Sequence, residues 1–229
     1  MTFNVVTSQF WSLVVSGVAL GFIYVLISLG YTMVYGVLRL INFANSEIFM
    51  VGTFATVLVS RNLYKFDQNT NPLTGTKLVL TLASFLFASM VASGITAVLV
   101  ELVAYRRLRA KGTNRLASLI SAIGTSIVLQ ETVRILTHSI PMSNPRVIRK
   151  YDVVTFGNTG IRNDILIVIV FAAVLYVTID RFVSKTLLGK AIRAVSMSEE
   201  TSRLMGINLN RVISATFFIG GITTGAAAF

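Results

Sequence analysis

The chain has 229 residues, of which 54% are hydrophobic and 13% are charged, about half of the roughly 25% charge that soluble domains carry. Such a composition excludes a water-soluble globular protein, and lipid is the expected solvent. The net charge of +11 does not indicate a nucleic-acid partner, because Lys and Arg cluster in short segments between apolar runs and no basic helix with interleaved aromatics occurs.

Six apolar segments each come close to the roughly 20 residues with which an α-helix crosses the hydrocarbon layer. They cover residues 10–35, 41–60, 78–104, 116–137, 165–183 and 212–229. Because the runs are continuously apolar and do not alternate, they predict helices and not a β-barrel. We therefore expect an all-α polytopic bundle that forms one transmembrane domain over 1–229, and a natural chain that continues beyond the unanchored last segment.

Basic loops predict the orientation of these spans. Two loops carry most of the cations: Arg106, Arg107, Arg109, Lys111 and Arg115 in the first, and Arg181, Lys185, Lys190, Arg193, Arg203 and Arg211 in the second. Both should face the cytosol by the positive-inside rule. Counting back places the N-terminus outside and Arg39 on the cytosolic side. The second segment is the most polar, and a re-entrant second segment, which would reverse the N-terminus, stays open as an alternative.

A polar cluster begins the second segment, where Asn42, Asn45, Ser46 and Glu47 lie within six residues. Polar groups are costly in hydrocarbon and normally face a bundle interior or a water path, which predicts a solute route. A second interpretation is that Glu47 is stabilised at a helix N-terminus, with Asn42 or Asn45 as the N-cap residue. The two interpretations are compatible.

Two further patterns favour structural roles. Gly17 and Gly21, like Gly221 and Gly225, form G-x-x-x-G motifs, whose small residues let helices approach closely. Glu131 and Arg134 have helical spacing near the outer end of the fourth span, which favours a structural ion pair over a solute contact.

The cytosolic loop 184–211 is much longer than the roughly 2 to 8 residues that usually join two helices. It predicts an amphipathic helix over 198–205, with Gly206 as its C-terminal stop. Docking of a partner outside the membrane is one interpretation, and a basic helix lying on anionic lipid is the other.

No feature of the sequence indicates catalysis. Gly189-Lys190 lacks the upstream glycine and the following hydroxyl of a nucleotide-binding loop, so any ATP hydrolysis must occur on another polypeptide. His138 is the single histidine and Cys is absent, so we expect no metal site, no cofactor and no catalytic triad. A membrane-embedded enzyme is disfavoured because Glu47 and Glu131 are predicted near opposite faces of the membrane.

Two stretches resemble the permeases of branched-chain amino-acid ABC importers. Residues 30–44, GYTMVYGVLRLINFA, are similar to the G-x-x-x-x-Y-G segment that leads into N-F-A-H-G, with Asn45 and Ser46 in place of the His and Gly. Residues 189–194, GKAIRA, and 199–208, EETSRLMGIN, look like the coupling element E-A-A-x-x-x-G, with Thr201 and Ser202 where alanines are usual.

The resemblance implies an inner-membrane permease without enzymatic activity that moves branched-chain or other neutral amino acids by alternating access. It implies ATPase coupling through Arg193, Ala194, Glu199, Glu200 and Gly206, and a solute path near Asn42, Phe43, Asn45, Ser46 and Glu47. The implied partners are a second, identical or different, permease subunit, two cytosolic ATPase subunits, an external solute-binding protein and the lipid bilayer.

Two alternative functions stay open. Similar permeases carry urea or short amides, and one sequence does not distinguish these solutes. A secondary transporter that acts without ATP should show an intramembrane chain of charges or an inverted repeat, and we identify neither in the sequence.

Overall fold

The computed structural model describes residues 2–66, 72–111, 115–140, 142, 144, 147–156 and 159–229 and shows a helical bundle. Its helices are α1 (Thr2–Leu38), α2 (Asn45–Leu58), α3 (Thr76–Val100), α4 (Arg107–Ala110), α5 (Arg115–Leu136), α6 (Asn163–Lys185), α7 (Leu187–Met197), α8 (Glu199–Leu204) and α9 (Leu209–Ala228). A π-helical segment, Val59–Leu63, extends α2, and another, Glu101–Arg106, joins α3 to α4. The predicted all-α polytopic class is confirmed.

Five helices within the described part of the chain are long and apolar enough to cross a membrane. They are Leu13–Leu38, Thr76–Arg109, Leu116–Leu136, Asn163–Lys185 and Leu209–Ala228. The second predicted segment, 41–60, is not among them. Its helix begins only at Asn45, because residues 39–44 form a turn in which the Ala44 N–H donates to the Asn42 side chain at 3.2 Å. The helical stretch that follows starts with polar residues.

The connection before α6 contains an antiparallel hairpin of β1 (Asp152–Phe156) and β2 (Thr159–Arg162). Pro141, Pro145, Gly157 and Gly160 in the sequence predict a loop with a short β-turn element here. The first three of these residues lie outside the described residues. Arg162, the last residue of β2, forms an ion pair with Asp164. Its hydrogen bond to the Asp164 carboxylate raises the pKa of Arg162 above its usual range.

Helix α9 lies at the centre of the bundle, against α1, α2 and α3. Its backbone approaches α3 so closely that a Cβ at Gly221 would lie 2.6 Å from Ala97 Cβ and 2.7 Å from the Ser93 carbonyl oxygen. A Cβ at Gly225 would lie 2.6 Å from the Ser89 carbonyl oxygen. The predicted packing role is therefore confirmed for the second G-x-x-x-G motif.

The first G-x-x-x-G motif behaves differently. A Cβ at Gly17 or at Gly21 would meet no described atom within 4 Å. Within the described residues this motif therefore has no helix packed against it.

A buried ion cluster ties α9 to the end of α3. The Glu101 side chain is 0% exposed and accepts bonds from Arg106 at 3.0 Å and from Arg109 at 3.3 Å. The Ser214 hydroxyl of α9 donates to Glu101 at 2.8 Å, and Arg109 also donates to the Asn210 side chain at 2.8 Å. The π-helical backbone explains the first pair, because its i→i+5 geometry brings Arg106 beside Glu101.

We predict that Gly221→Ala destabilises the protein, whereas Gly21→Ala does not. The added methyl group at Gly221 would press on Ala97 and on the Ser93 backbone, and overpacking of this kind costs about 1–3 kcal/mol. Thermal unfolding of the two purified variants in mild detergent measures the difference. Equal midpoints for both variants would contradict the close packing of α9 on α3.

We also predict that Glu101→Gln is far more damaging than Glu131→Gln. A neutral amide leaves two guanidinium groups without their buried carboxylate, and breaking a buried pair costs about 3–5 kcal/mol. The control residue Glu131 pairs with Arg134 on the exposed face of α5, where the loss should be small. Unfolding midpoints of both variants test this, and a similar small shift in both would show that the cluster contributes little.

Candidate functional site

The turn between α1 and α2 points two asparagine side chains into the bundle. Asn42 is 2% exposed, and its Oδ1 accepts hydrogen bonds from the Ala44 N–H and from the Tyr105 hydroxyl, both at 3.2 Å. Its Nδ2 has no hydrogen-bond partner among the described residues. Asn45 is also buried, and its Oδ1 accepts from the Thr224 hydroxyl of α9 at 3.4 Å. Both amides thus lie where α2, α9 and the end of α3 meet.

The other predicted solute residues lie nearer the surface. Phe43 is 45% exposed, Ser46 is exposed, and Glu47 is partly buried and accepts a hydrogen bond from the Ser46 hydroxyl at 2.8 Å. Glu47 does lie in the first turn of α2, as expected of an anion at a helix N-terminus. The prediction that Asn42 or Asn45 caps this helix is wrong, because Ala44 holds the N-cap position and the Asn42 amide closes the preceding turn instead.

The bundle also buries hydroxyl groups that are not among the predicted solute residues. They belong to Thr56, Ser89, Ser93, Thr216, Thr223 and Thr224. Two of them join α3 to other helices, since Ser93 donates to the Ile48 carbonyl oxygen at 2.9 Å and Ser89 donates to that of Gly225 at 2.6 Å. Their spacing of four residues on one face of α3 is the signal that could have revealed them.

A cavity of about 770 Å³ lies between α1, α3, α6 and the end of α9. Its walls are mainly apolar and include Ile23, Phe49, Phe85 and Phe171. Asn144, Lys150 and Asp164 are the polar side chains in its lining. Phe49 lies one helical turn from Asn45, so the cavity and the asparagine cluster share the start of α2.

The predicted cytosolic segment forms an elbow of two helices, α7 and α8. Helix α7 buries Ile192 and Val195 in the main hydrophobic core, so it is packed against the bundle. Ser198 caps α8 by accepting from the Thr201 N–H at 3.2 Å, and Gly206 follows with a left-handed φ of 78°. The predicted helix over 198–205 and its glycine stop are confirmed, whereas α7 was not predicted as a separate helix.

The elbow exposes large apolar side chains. We call Met197, Glu200, Leu204 and Met205 the elbow patch. Leu204 is 84% exposed, Met197 and Met205 are each 80% exposed, and Glu200 and Gly206 are exposed beside them.

Of the remaining predicted coupling residues, Arg193 is exposed and the other two are less so. Glu199 and Ala194 are partly buried, and the Arg193 guanidinium donates to the Ser184 carbonyl oxygen at 3.1 Å. The structure therefore places the predicted coupling residues together in one elbow, apart from the asparagine cluster inside the bundle.

Comparison with known proteins identifies the family. The model of the permease component of branched-chain amino acid transport systems matches residues 13–229. BraD of Pseudomonas aeruginosa, a high-affinity branched-chain amino acid transport system permease protein, is 36% identical over 220 residues, which cover 93% of this chain and 68% of BraD. The LivH permease proteins of Escherichia coli and Salmonella typhimurium are 35% and 34% identical over 217 residues, which cover 93% of this chain and 67% of each relative. No solved structure shows a significant match. The chain is therefore a multi-pass membrane protein that belongs to the family of branched-chain amino acid transport system permease components.

Proposed function

We propose that this chain is the permease subunit of an ATP-driven importer in the bacterial inner membrane, which carries branched-chain or other neutral amino acids by alternating access. Family membership supports the transport function, and the names of BraD and LivH support the solute class. The observation that carries the ATP-driven mechanism is the elbow, a capped helix with a protruding apolar surface. We expect two cytosolic ATPase subunits, a second permease subunit and an external solute-binding protein as partners.

The elbow is built to receive a partner. Side chains as exposed as Leu204 and Met205 would face water on the cytosolic side, and a concentration of exposed apolar groups is typical of an interaction surface. The Ser198 cap and Gly206 fix both ends of α8, so it can dock as a rigid element. Because α7 is packed against α1 and α9, movement of the docked ATPase would reach the spans as a rigid-body displacement.

The asparagine cluster is the proposed solute route. The unpaired Nδ2 of Asn42 can donate to a carboxylate, and the oxygens of Asn45 and Glu47 can accept from an ammonium group. The adjoining apolar cavity can receive an aliphatic side chain, which suits a zwitterion with a branched hydrocarbon group. Asn42, Phe43, Asn45, Ser46 and Glu47 would then line the path between this cavity and the cytosol.

The buried charges do not favour an ATP-independent transporter. Glu101 is held by two arginines and the Ser214 hydroxyl, so within the described residues its carboxylate is fully paired. The cluster also lies near the end of the Thr76–Arg109 span, and in the part of the chain that the structure describes no further ion pair continues it through the membrane. A proton or ion relay needs groups that can change partners along a path.

We predict that Glu200→Arg and Gly206→Arg each release the ATPase from the complex. Arginine at 200 reverses the charge of the elbow patch, and a side chain at 206 is strained by the left-handed backbone and would disturb the end of α8. Affinity purification of the tagged chain from cells that express its transport partners, followed by quantification of bound ATPase, measures the effect.

Asp152→Arg is the matched control, because it reverses an exposed carboxylate of the β1–β2 hairpin on the predicted outer side. This variant should retain the ATPase at the wild-type level. Retention by all three variants, with unchanged solute-stimulated hydrolysis, would show that the ATPase does not use the elbow.

A further inference from the structure

Arg39 connects the turn after α1 to the end of α7. Its Nη2 donates to the carbonyl oxygens of Ser196 at 3.0 Å and of Met197 at 2.9 Å. These carbonyls belong to the last turn of α7, where a helix leaves its C=O groups without intrahelical partners. A guanidinium at this position also interacts favourably with the negative end of the helix dipole. One side chain thus holds the C-terminus of α7.

The position of Arg39 in the chain gives this contact its significance. On one side, Arg39 has a left-handed φ of 51° and lies three residues before the buried Asn42. On the other side, Met197 directly precedes Ser198, the N-cap of α8. The hydrogen bonds of Arg39 therefore join the proposed solute route to the proposed ATPase contact. In sequence, Arg39 lies 157 residues before Ser196 and 158 residues before Met197.

The rest of the α1–α7 interface is less directional. Ile192 and Val195 of α7 belong to the same hydrophobic core as Val34 and Val37 of α1. Apolar packing is non-directional, so these side chains resist separation more than they resist sliding. Arg39 fixes the register of the two segments, because one nitrogen of its guanidinium, Nη2, donates to two adjacent carbonyl oxygens at once.

We propose that Arg39 is the positioning residue that transmits displacement of the α7–α8 elbow to the α1–α2 turn, and hence to Asn42. The inference rests on the proposed function, since it takes the elbow as the place where an ATPase delivers work. It goes beyond that function by naming the connection between the elbow and the solute route. Loss of Arg39 should separate ATP hydrolysis from transport without removing the ATPase.

The test uses the assembled transport complex in proteoliposomes, with radiolabelled leucine as the solute. Because hydrogen bonds from a charged donor are stronger than those between neutral groups, we expect Arg39→Met to lower leucine uptake per ATP hydrolysed about tenfold or more, while ATPase binding stays at the wild-type level. Arg39→Lys keeps the charge and the donors but places them on a differently shaped side chain, and it should give an intermediate ratio.

Arg181→Met is the matched control. Arg181 is an exposed arginine near the end of α6, and its side chain forms no hydrogen bond or ion pair with the described residues. Its ratio of uptake to hydrolysis should equal that of the wild type. If Arg39→Met matches Arg181→Met, or if Arg39→Met loses the ATPase altogether, Arg39 is not the transmitting residue.

A distance measurement tests the connection independently of transport. The chain contains no cysteine, so spin labels can be attached at Ile41→Cys in the turn and at Leu204→Cys on α8. We expect a narrow distance distribution with Arg39 present and a broadened one in the Arg39→Met background. An unchanged narrow distribution overturns the inference. If the wild-type chain binds no ATPase in the assembled complex, the proposed function is overturned. The distance between the two spin labels still tests the role of Arg39 in that case.

Discussion

The close approach of α9 to its neighbours is the constraint on which the rest of the bundle depends. A Cβ at Gly220 would lie 2.8 Å from the Gly30 carbonyl oxygen of α1, and one at Gly225 would lie 2.6 Å from that of Ser89 on α3. Lipid chains are as apolar as leucine side chains, so helices in a membrane gain little from burying apolar surface and rely on tight packing. Glycines provide the closest contacts along α9, and a side chain at Gly220, Gly221 or Gly225 would push the helices apart.

The same packing places polar groups at a helix junction inside the membrane. Hydroxyls such as those of Ser89 and Ser93 donate across the helix contacts, and Asn45 accepts from Thr224. At the other end of α9, Glu101 gathers two arginines and Ser214 into a cluster that joins α3 to α9. The elbow is joined to this junction at the end of α7, which packs on α1 and whose last carbonyl oxygens accept hydrogen bonds from Arg39 in the α1–α2 turn.

Much of the fold follows from the sequence because it depends on local properties. Long apolar runs predict the spanning helices. The spacing of Glu131 and Arg134 predicts an ion pair, and the structure shows it with 2.7 Å between Arg134 Nε and Glu131 Oε2. The α8 helix and Gly206 are likewise local, since a cap residue and a left-handed glycine fix them.

The remainder depends on tertiary contacts that a single sequence does not display. Glu101 and Arg106 are five residues apart, a spacing that pairs on a π-helix and not on an α-helix. Arg39 contacts main-chain oxygens, which every residue has and which a sequence pattern therefore cannot reveal. The N-cap residue of α2 is Ala44, because the Asn42 side chain points into the bundle. In the candidate site, the buried asparagines could be predicted as polar groups facing the interior, and the spacing of Ser89 and Ser93 places both hydroxyls on one face of α3. Which atoms these hydroxyls contact follows only from the packing of α3 against α2 and α9.

A single cysteine at Leu204 tests whether the elbow receives work from a cytosolic partner. Because these 229 residues contain no cysteine, the Leu204→Cys thiol is the one thiol among them. In inside-out membrane vesicles we predict that a thiol-specific cross-linker joins it to the ATPase, and that a membrane-impermeant reagent labels it when the ATPase has been stripped away. In intact cells with a permeable outer membrane, the same impermeant reagent should leave it unlabelled. Labelling from the outside, or cross-links to lipid alone in vesicles that retain their partner proteins, would contradict the coupling of this elbow to ATP hydrolysis.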